Sequence, residues 1–67
     1  MTTITKQQAE AVNETSDEIT VGSVVVRDSG SRQILAVRGT IGSAEVAASE
    51  IAQEFDREVE LLAVVEA

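Results

Sequence analysis

The chain has 67 residues, a formal net charge of −7 and 43% hydrophobic residues. A chain of this length forms one domain with a thin core, close to the lower size limit for folding alone. It contains no His and no Cys, so it lacks the usual general base near neutral pH, disulfides and cysteine zinc sites. Because catalysis usually needs a tuned titrating group, the composition predicts a protein that is not an enzyme and uses no metal or cofactor.

Hydropathy and charge predict the compartment and the kind of partner. No apolar run approaches the roughly 18 residues of a membrane-spanning helix, and Met1 to Glu10 lack the basic and apolar regions of a signal peptide. We therefore expect a cytoplasmic protein that does not bind membranes. An acidic surface repels nucleic acid and suits a basic protein partner; the competing explanation is that the charge serves only solubility.

The chain divides into a polar segment, residues 1–18, and a folded domain, residues 19–67. The polar segment is predicted to be an arm or a short helix around Lys6–Val12. The domain is predicted to be α+β with the element order β-β-α-β. It would form a three-stranded sheet with one main helix on one face, in two layers.

The first two predicted strands are rich in Val, Ile and Thr and cover Ile19–Asp28 and Gln33–Thr40. Gly30-Ser31 between them suits a two-residue type II′ turn, because glycine tolerates the positive φ that this turn requires. The resulting register puts alternate residues on consistent sides of the sheet. The predicted helix side carries Val24, Val26, Leu35 and Val37, and the opposite side carries Val25, Arg27, Ile34 and Ala36.

The main helix is predicted over about residues 44–57, where apolar residues recur at helical spacing. Ser43 is its predicted N-cap, and Glu45 then lies in the first turn, where an acid favours the helix dipole. The contact stripe is mostly alanine, so Ile51 and Phe55 are the predicted main anchors against the sheet.

The third predicted strand, Val59–Glu66, contributes to a sheet face that the helix does not cover. This face should carry Val25, Ile34, Ala36, Leu62 and Val64, ringed by Arg27, Arg38, Glu60 and Glu66. An exposed apolar patch of this kind invites association. Three coverings stay open: the amino-terminal segment, a second copy through this face or a sheet edge, and a different protein. The possible dimer face consists of Val25, Arg27, Ile34, Arg38, Leu62 and Val64.

Acidic residues concentrate in the last third of the chain, where seven acids accompany Arg57. Glu50, Glu54 and Glu58 are spaced i, i+4, i+8, which on one continuous helix gives a row of carboxylates about 6 Å apart along the axis. Such a row imitates phosphates and would fit the basic, nucleic-acid-binding groove of a partner; the alternative is a solvated helix face. The candidate partner-binding residues are Glu45, Glu50, Glu54, Asp56, Glu58 and Glu60.

The succession VVVRDSGSRQILAVRG, SAEVAASEIAQEF and VELLAVV resembles small phage-encoded anti-CRISPR proteins in its β-β-α-β architecture and acidity. The resemblance spans roughly residues 19–66 and carries over no site residue by motif. It implies an inhibitor that binds a CRISPR surveillance complex and blocks its nucleic-acid path. The chain is more distantly similar to the HicB-type antitoxin module, a hairpin followed by a helix and a strand. That second resemblance implies a homodimeric regulatory or structural module that uses its apolar sheet face.

Overall fold

A computed structural model describes residues 2–66 as one mixed sheet with a helix on each face. The elements in chain order are β1 (Thr2–Thr5), α1 (Lys6–Ala11), β2 (Val24–Asp28), β3 (Ile34–Arg38), α2 (Ile41–Phe55) and β4 (Val59–Val65). The α+β class and the short first helix agree with the prediction. The sheet has four strands in the order β1-β4-β2-β3, so the predicted three strands and two layers are corrected. Met1 and Ala67, the outer limits of the two predicted segments, lie outside the described residues.

The additional strand is β1, which pairs in parallel with β4 through Thr2↔Leu62 and Ile4↔Val64. Its residues are a run of β-branched side chains, which favour extended backbone. Thr5 then ends the strand and begins α1, because its hydroxyl accepts the N–H of Gln8 while the Gln8 side chain accepts the N–H of Thr5. This capping box satisfies two donors at the start of a six-residue helix.

The amino-terminal segment covers the sheet face that α2 leaves uncovered. Ile4, Ala9 and Ile19 are buried there. They form one cluster, here called the amino-terminal core, with the sheet residues Val25, Ile34, Leu62 and Val64. The sequence leaves three possible coverings open for this face, and in the structure the covering is the amino-terminal segment.

The structure therefore corrects the prediction of a possible dimer face, because its apolar residues are buried. Its four apolar members, Val25, Ile34, Leu62 and Val64, are each at most 2% exposed. Arg27 pairs with Glu60 on the neighbouring strand, and Arg38 is exposed at the end of β3. A second copy could reach this face only if β1 and α1 moved away from it.

The hairpin of β2 and β3 contains a bulge that the predicted register lacks. The pairing runs Val26↔Ala36 and then Arg27↔Ile34, which leaves Leu35 as the extra residue. Beyond the bulge the faces are exchanged relative to the prediction. Ala36 packs toward α2, in a cluster here called the helix core with Val24, Val26, Ala44 and Ala47. Val37 packs against the amino-terminal core instead.

The turn also differs from the predicted type II′ geometry. Residue Arg32, with φ 66°, has the left-handed conformation, and Gly30 does not. The carboxylate of Asp28 accepts the N–H groups of Gly30 at 2.8 Å and Ser31 at 3.1 Å, and the Asp28 carbonyl accepts the Arg32 N–H at 2.8 Å. An aspartate-held loop of this kind needs no glycine at the position assumed in the prediction.

Helix α2 begins at Ile41 because Thr40, and not Ser43, is its N-cap; the Thr40 hydroxyl accepts the Ser43 N–H at 3.2 Å. Glu45 therefore lies beyond the first turn. Small residues make the contact with the sheet, as expected, with Ile51 packed against them. Phe55 is 60% exposed, so its predicted role as an anchor is wrong: it is the last residue of α2, and no described residue covers its outer side.

Candidate functional site

The exposed side of α2 carries three of the predicted partner-binding acids, Glu45, Glu50 and Glu54. Glu50 and Glu54 are one turn apart and share a side of the helix. Glu45 lies five residues before Glu50, about 140° away around the axis. The structure thus brings Glu50 and Glu54 together and separates Glu45 from them.

The helix ends before Glu58, which shortens the predicted row of carboxylates. Asp56 is the C-cap residue and has a left-handed backbone, with φ 51° and ψ 50°. Asp56 and Glu58 lie exposed in the connection to β4. Glu50, Glu54, Asp56 and Glu58 are here called the acidic patch; the first two extend along the helix and the last two lie beyond its end.

Arg57 lies between Asp56 and Glu58 in sequence, but its side chain forms a salt bridge with Asp28. Arg57 Nη1 lies 3.1 Å from Asp28 Oδ2, at the end of β2. Within residues 2–66, the four acids of the patch take part in no salt bridge. Their negative charge is therefore not cancelled by a close basic partner in this part of the chain.

The Asp28 carboxylate that pairs with Arg57 also accepts hydrogen bonds from two backbone N–H groups. The N–H groups of Ser31 and Gly30 lower the pKa of Asp28 below its ordinary value, and the charge of Arg57 adds to this effect. Asp28 stays ionised and connects the loop after β2 to the connection before β4. The N–H of Ser29, which donates to the carbonyl of Glu58 at 3.0 Å, joins the same two segments.

We expect Asp28→Asn to destabilise the protein near neutral pH and to have a smaller effect in acid. A carboxylate whose pKa is lowered by folding contributes stability above its unfolded pKa of about 4, and this contribution is lost as the pH falls through the lower folded pKa. Urea unfolding of both proteins across this range measures the difference. The exposed Asp17→Asn is the matched control; a gap between wild type and Asp28→Asn that stays constant in acid would contradict the assignment.

Glu60 is not part of the acidic patch. It pairs across the strands with Arg27, on the face opposite to α2, since its neighbours Val59 and Leu61 pack toward the helix. Arg27 also lines an open groove of about 460 Å³, together with Arg32 and residues of β1, α1 and β4. The prediction that Glu60 widens the acidic helix surface is corrected, because alternation along β4 turns it away.

An apolar pocket lies at the carboxyl end of α2, next to the acidic patch. Leu35, Ile51, Phe55 and Arg57 line this space of about 190 Å³. Leu35 lies on the helix side of β3, as the sequence predicts, and is the extra residue of the bulge. The sequence signal for this pocket is Phe55, the single aromatic residue of the chain, which the helical spacing predicts to be an anchor against the sheet.

The described residues contain no cluster of three or more metal-ligating side chains. No helix among them is long and apolar enough to cross a membrane. A comparison with models of protein families, with curated proteins and with solved structures found no match for this chain. The chemistry of the surface is thus the basis on which a function can be argued.

Proposed function

We propose that this protein is a non-catalytic binding module and an inhibitor. Its acidic patch would occupy a basic surface of a protein partner, namely a groove that otherwise binds nucleic acid. The patch offers carboxylates from one helix side and from the connection that follows, and these can meet Lys and Arg side chains that normally contact phosphates. A CRISPR surveillance complex is a partner with such a groove, and the resemblance in architecture and charge is the reason for naming it.

The observation that carries this proposal is the position of the acids relative to the helix. Glu54 is in the last turn of α2 and Asp56 caps it, with no basic residue in that turn. Acids at this end oppose the helix dipole, at a cost of about 0.3–1 kcal/mol each, and the like-charge pair Glu50 and Glu54 costs a few tenths more. Stability alone would favour Lys or Arg here, so a demand for negative charge explains the arrangement better than solubility does.

We expect the double variant Glu50→Lys/Glu54→Lys to bind the partner on the order of a hundredfold more weakly, since two favourable charge contacts become repulsive. Glu10→Lys/Glu18→Lys is the matched control, because it changes the net charge equally at exposed sites outside the patch. Affinity chromatography of a host lysate is run with the immobilised wild type, the double variant and the control. Candidate partners are the proteins that the wild type and the control retain and the double variant does not. Circular dichroism checks that both variants are folded.

Each protein found in this way is then tested for its own nucleic-acid binding. An oligonucleotide bound by the partner should displace the acidic protein, and the affinity should fall steeply with added salt. For a surveillance complex, target-DNA binding should decrease in the presence of the wild type and persist with the double variant. Equal retention of both variants, or simultaneous binding of protein and oligonucleotide, would contradict the proposal.

A further inference from the structure

We propose that the acidic patch and the pocket beneath Phe55 form one docking surface for an extended, basic segment of a protein partner, which adds to the sheet beside β3. This inference rests on the proposed function and specifies the chemistry of its partner. The segment would place an apolar side chain in the pocket and Lys or Arg side chains on the patch. Three features of the surface support it.

The first feature is the open edge of the sheet. β3 is the outermost strand. Within residues 2–66, backbone groups reach its outer edge at its first residue: the N–H of Ile34 donates to the carbonyl of Val12 at 2.9 Å, and the N–H of Glu14 donates to the carbonyl of Ile34 at 3.3 Å. At the other end, the Arg38 side chain donates to the carbonyl of Val37 at 2.8 Å. From Leu35 to Arg38, no backbone of residues 2–66 pairs with the outer edge. An edge of this kind accepts an added strand through main-chain hydrogen bonds.

The second feature is the apolar pocket at one end of that edge. Phe55 is 60% exposed and lines the pocket together with Leu35, a residue of the edge strand, and Ile51. Leu35 is the extra residue of the bulge in β3 and lies on the helix side of the sheet. A strand laid along β3 would therefore bring one of its side chains to the pocket, as in recognition modes where alternate side chains provide specificity.

The third feature is the charge around the pocket. Glu54 and Asp56 flank Phe55 in sequence, and Glu58 follows two residues later. Arg57 also lines the pocket, but its charge is paired with Asp28, so the unpaired charges in this stretch of sequence are acidic. This favours a basic segment over a second copy of this chain, since two copies would bring like charges together.

The test uses three synthetic peptides of equal length: alternating Lys and Val, Lys with Ser in place of Val, and alternating Glu and Val. Binding is measured by calorimetry with the full chain. The Lys–Val peptide should bind about tenfold more tightly than the Lys–Ser peptide, because one apolar side chain is buried, and the Glu–Val peptide should not bind. Amide hydrogen exchange within residues 35–38 should slow when the Lys–Val peptide is added.

Two variants locate the site. Phe55→Ser should reduce the affinity for the Lys–Val peptide about tenfold, to that of the Lys–Ser peptide. Val46→Ser is the matched control, since Val46 is 62% exposed on the same helix and should leave the affinity unchanged. Both residues are exposed, so neither variant should disturb the fold.

The outcomes separate this inference from the proposed function. If charge reversal of Glu50 and Glu54 abolishes partner binding while Phe55→Ser has no effect, and exchange at residues 35–38 is unchanged, the strand-docking surface is wrong and the acidic module stands. If neither change affects partner binding, both are wrong. Concentration-dependent dimerisation that Phe55→Ser abolishes, without peptide binding, would overturn the inference by assigning the surface to a second copy.

Discussion

Leu62→Ala is expected to destabilise the protein by about 2–5 kcal/mol, the range for removing a large aliphatic side chain from a core. Leu62 is 1% exposed and lies in β4, between β1 and β2. A domain of 67 residues has a total stability of about 3–10 kcal/mol. The expected loss is therefore a large share of the total stability, and the urea midpoint of the variant, followed by circular dichroism, should fall well below that of the wild type.

The control for Leu62→Ala is Phe55→Ala. Phe55 is the largest apolar side chain of the chain, but it is 60% exposed, so its removal should cost less than about 1 kcal/mol. Hydrophobicity by itself predicts the reverse order, since Phe55 loses more carbon atoms. Equal losses from the two variants would show that Phe55 packs against the core after all.

Ile4→Asp is expected to detach the amino-terminal segment from the sheet. Ile4 is 6% exposed and packs in the apolar amino-terminal core, and burying a carboxylate among these side chains costs about 3 kcal/mol or more if the segment stays docked. Undocking avoids that cost by moving the charge into water. Amide exchange over residues 2–11 should accelerate on the order of a hundredfold, and the uncovered face should bind a hydrophobic dye.

Thr3→Asp is the matched control, one residue earlier in β1. Thr3 is exposed, so the same charge remains in water and the segment should stay docked. If Ile4→Asp leaves exchange over residues 2–11 unchanged, β1 and α1 do not protect this face. If the detached face makes the protein self-associate, the association predicted for it from sequence requires prior undocking.

The parts of the fold that follow from local patterns could be predicted from the sequence. The β-branched and apolar runs of β2, β3 and β4 and the alanine stripe of α2 each specify an element. They also specify the buried side, except in β3, where the bulge exchanges the sides of Ala36 and Val37. β1 was missed because four residues give a weak strand signal, and Thr2–Thr5 became a strand through pairing with β4, a partner distant in sequence. The bulge at Leu35 was missed because it depends on the loop that Asp28 holds.

The candidate site likewise combines features that local sequence patterns predict with features that depend on the tertiary fold. Exposure of Glu50 and Glu54 follows from helical spacing, and the structure agrees. Glu58 was grouped with them because the end of α2 is not fixed by local pattern. Glu60 was grouped with them although strand alternation places it beside Arg27 on the face opposite to α2, which is where it lies in the structure. The pocket beneath Phe55 depends on where α2 ends over the sheet, which is a tertiary property.

The position of β4 inside the sheet has a consequence for how the chain is assembled. β1 and β2 both pair with β4, and β4 follows both along the chain. Neither the amino-terminal strand nor the hairpin can reach its final neighbours before the ribosome has released residues 59–65. Thr2 finds its partner Leu62 across nearly the whole chain, a nonlocal contact that slows folding. The sheet thus closes only after β4 has been synthesised, and until then β1 and β2 lack the strand that lies between them in the native sheet.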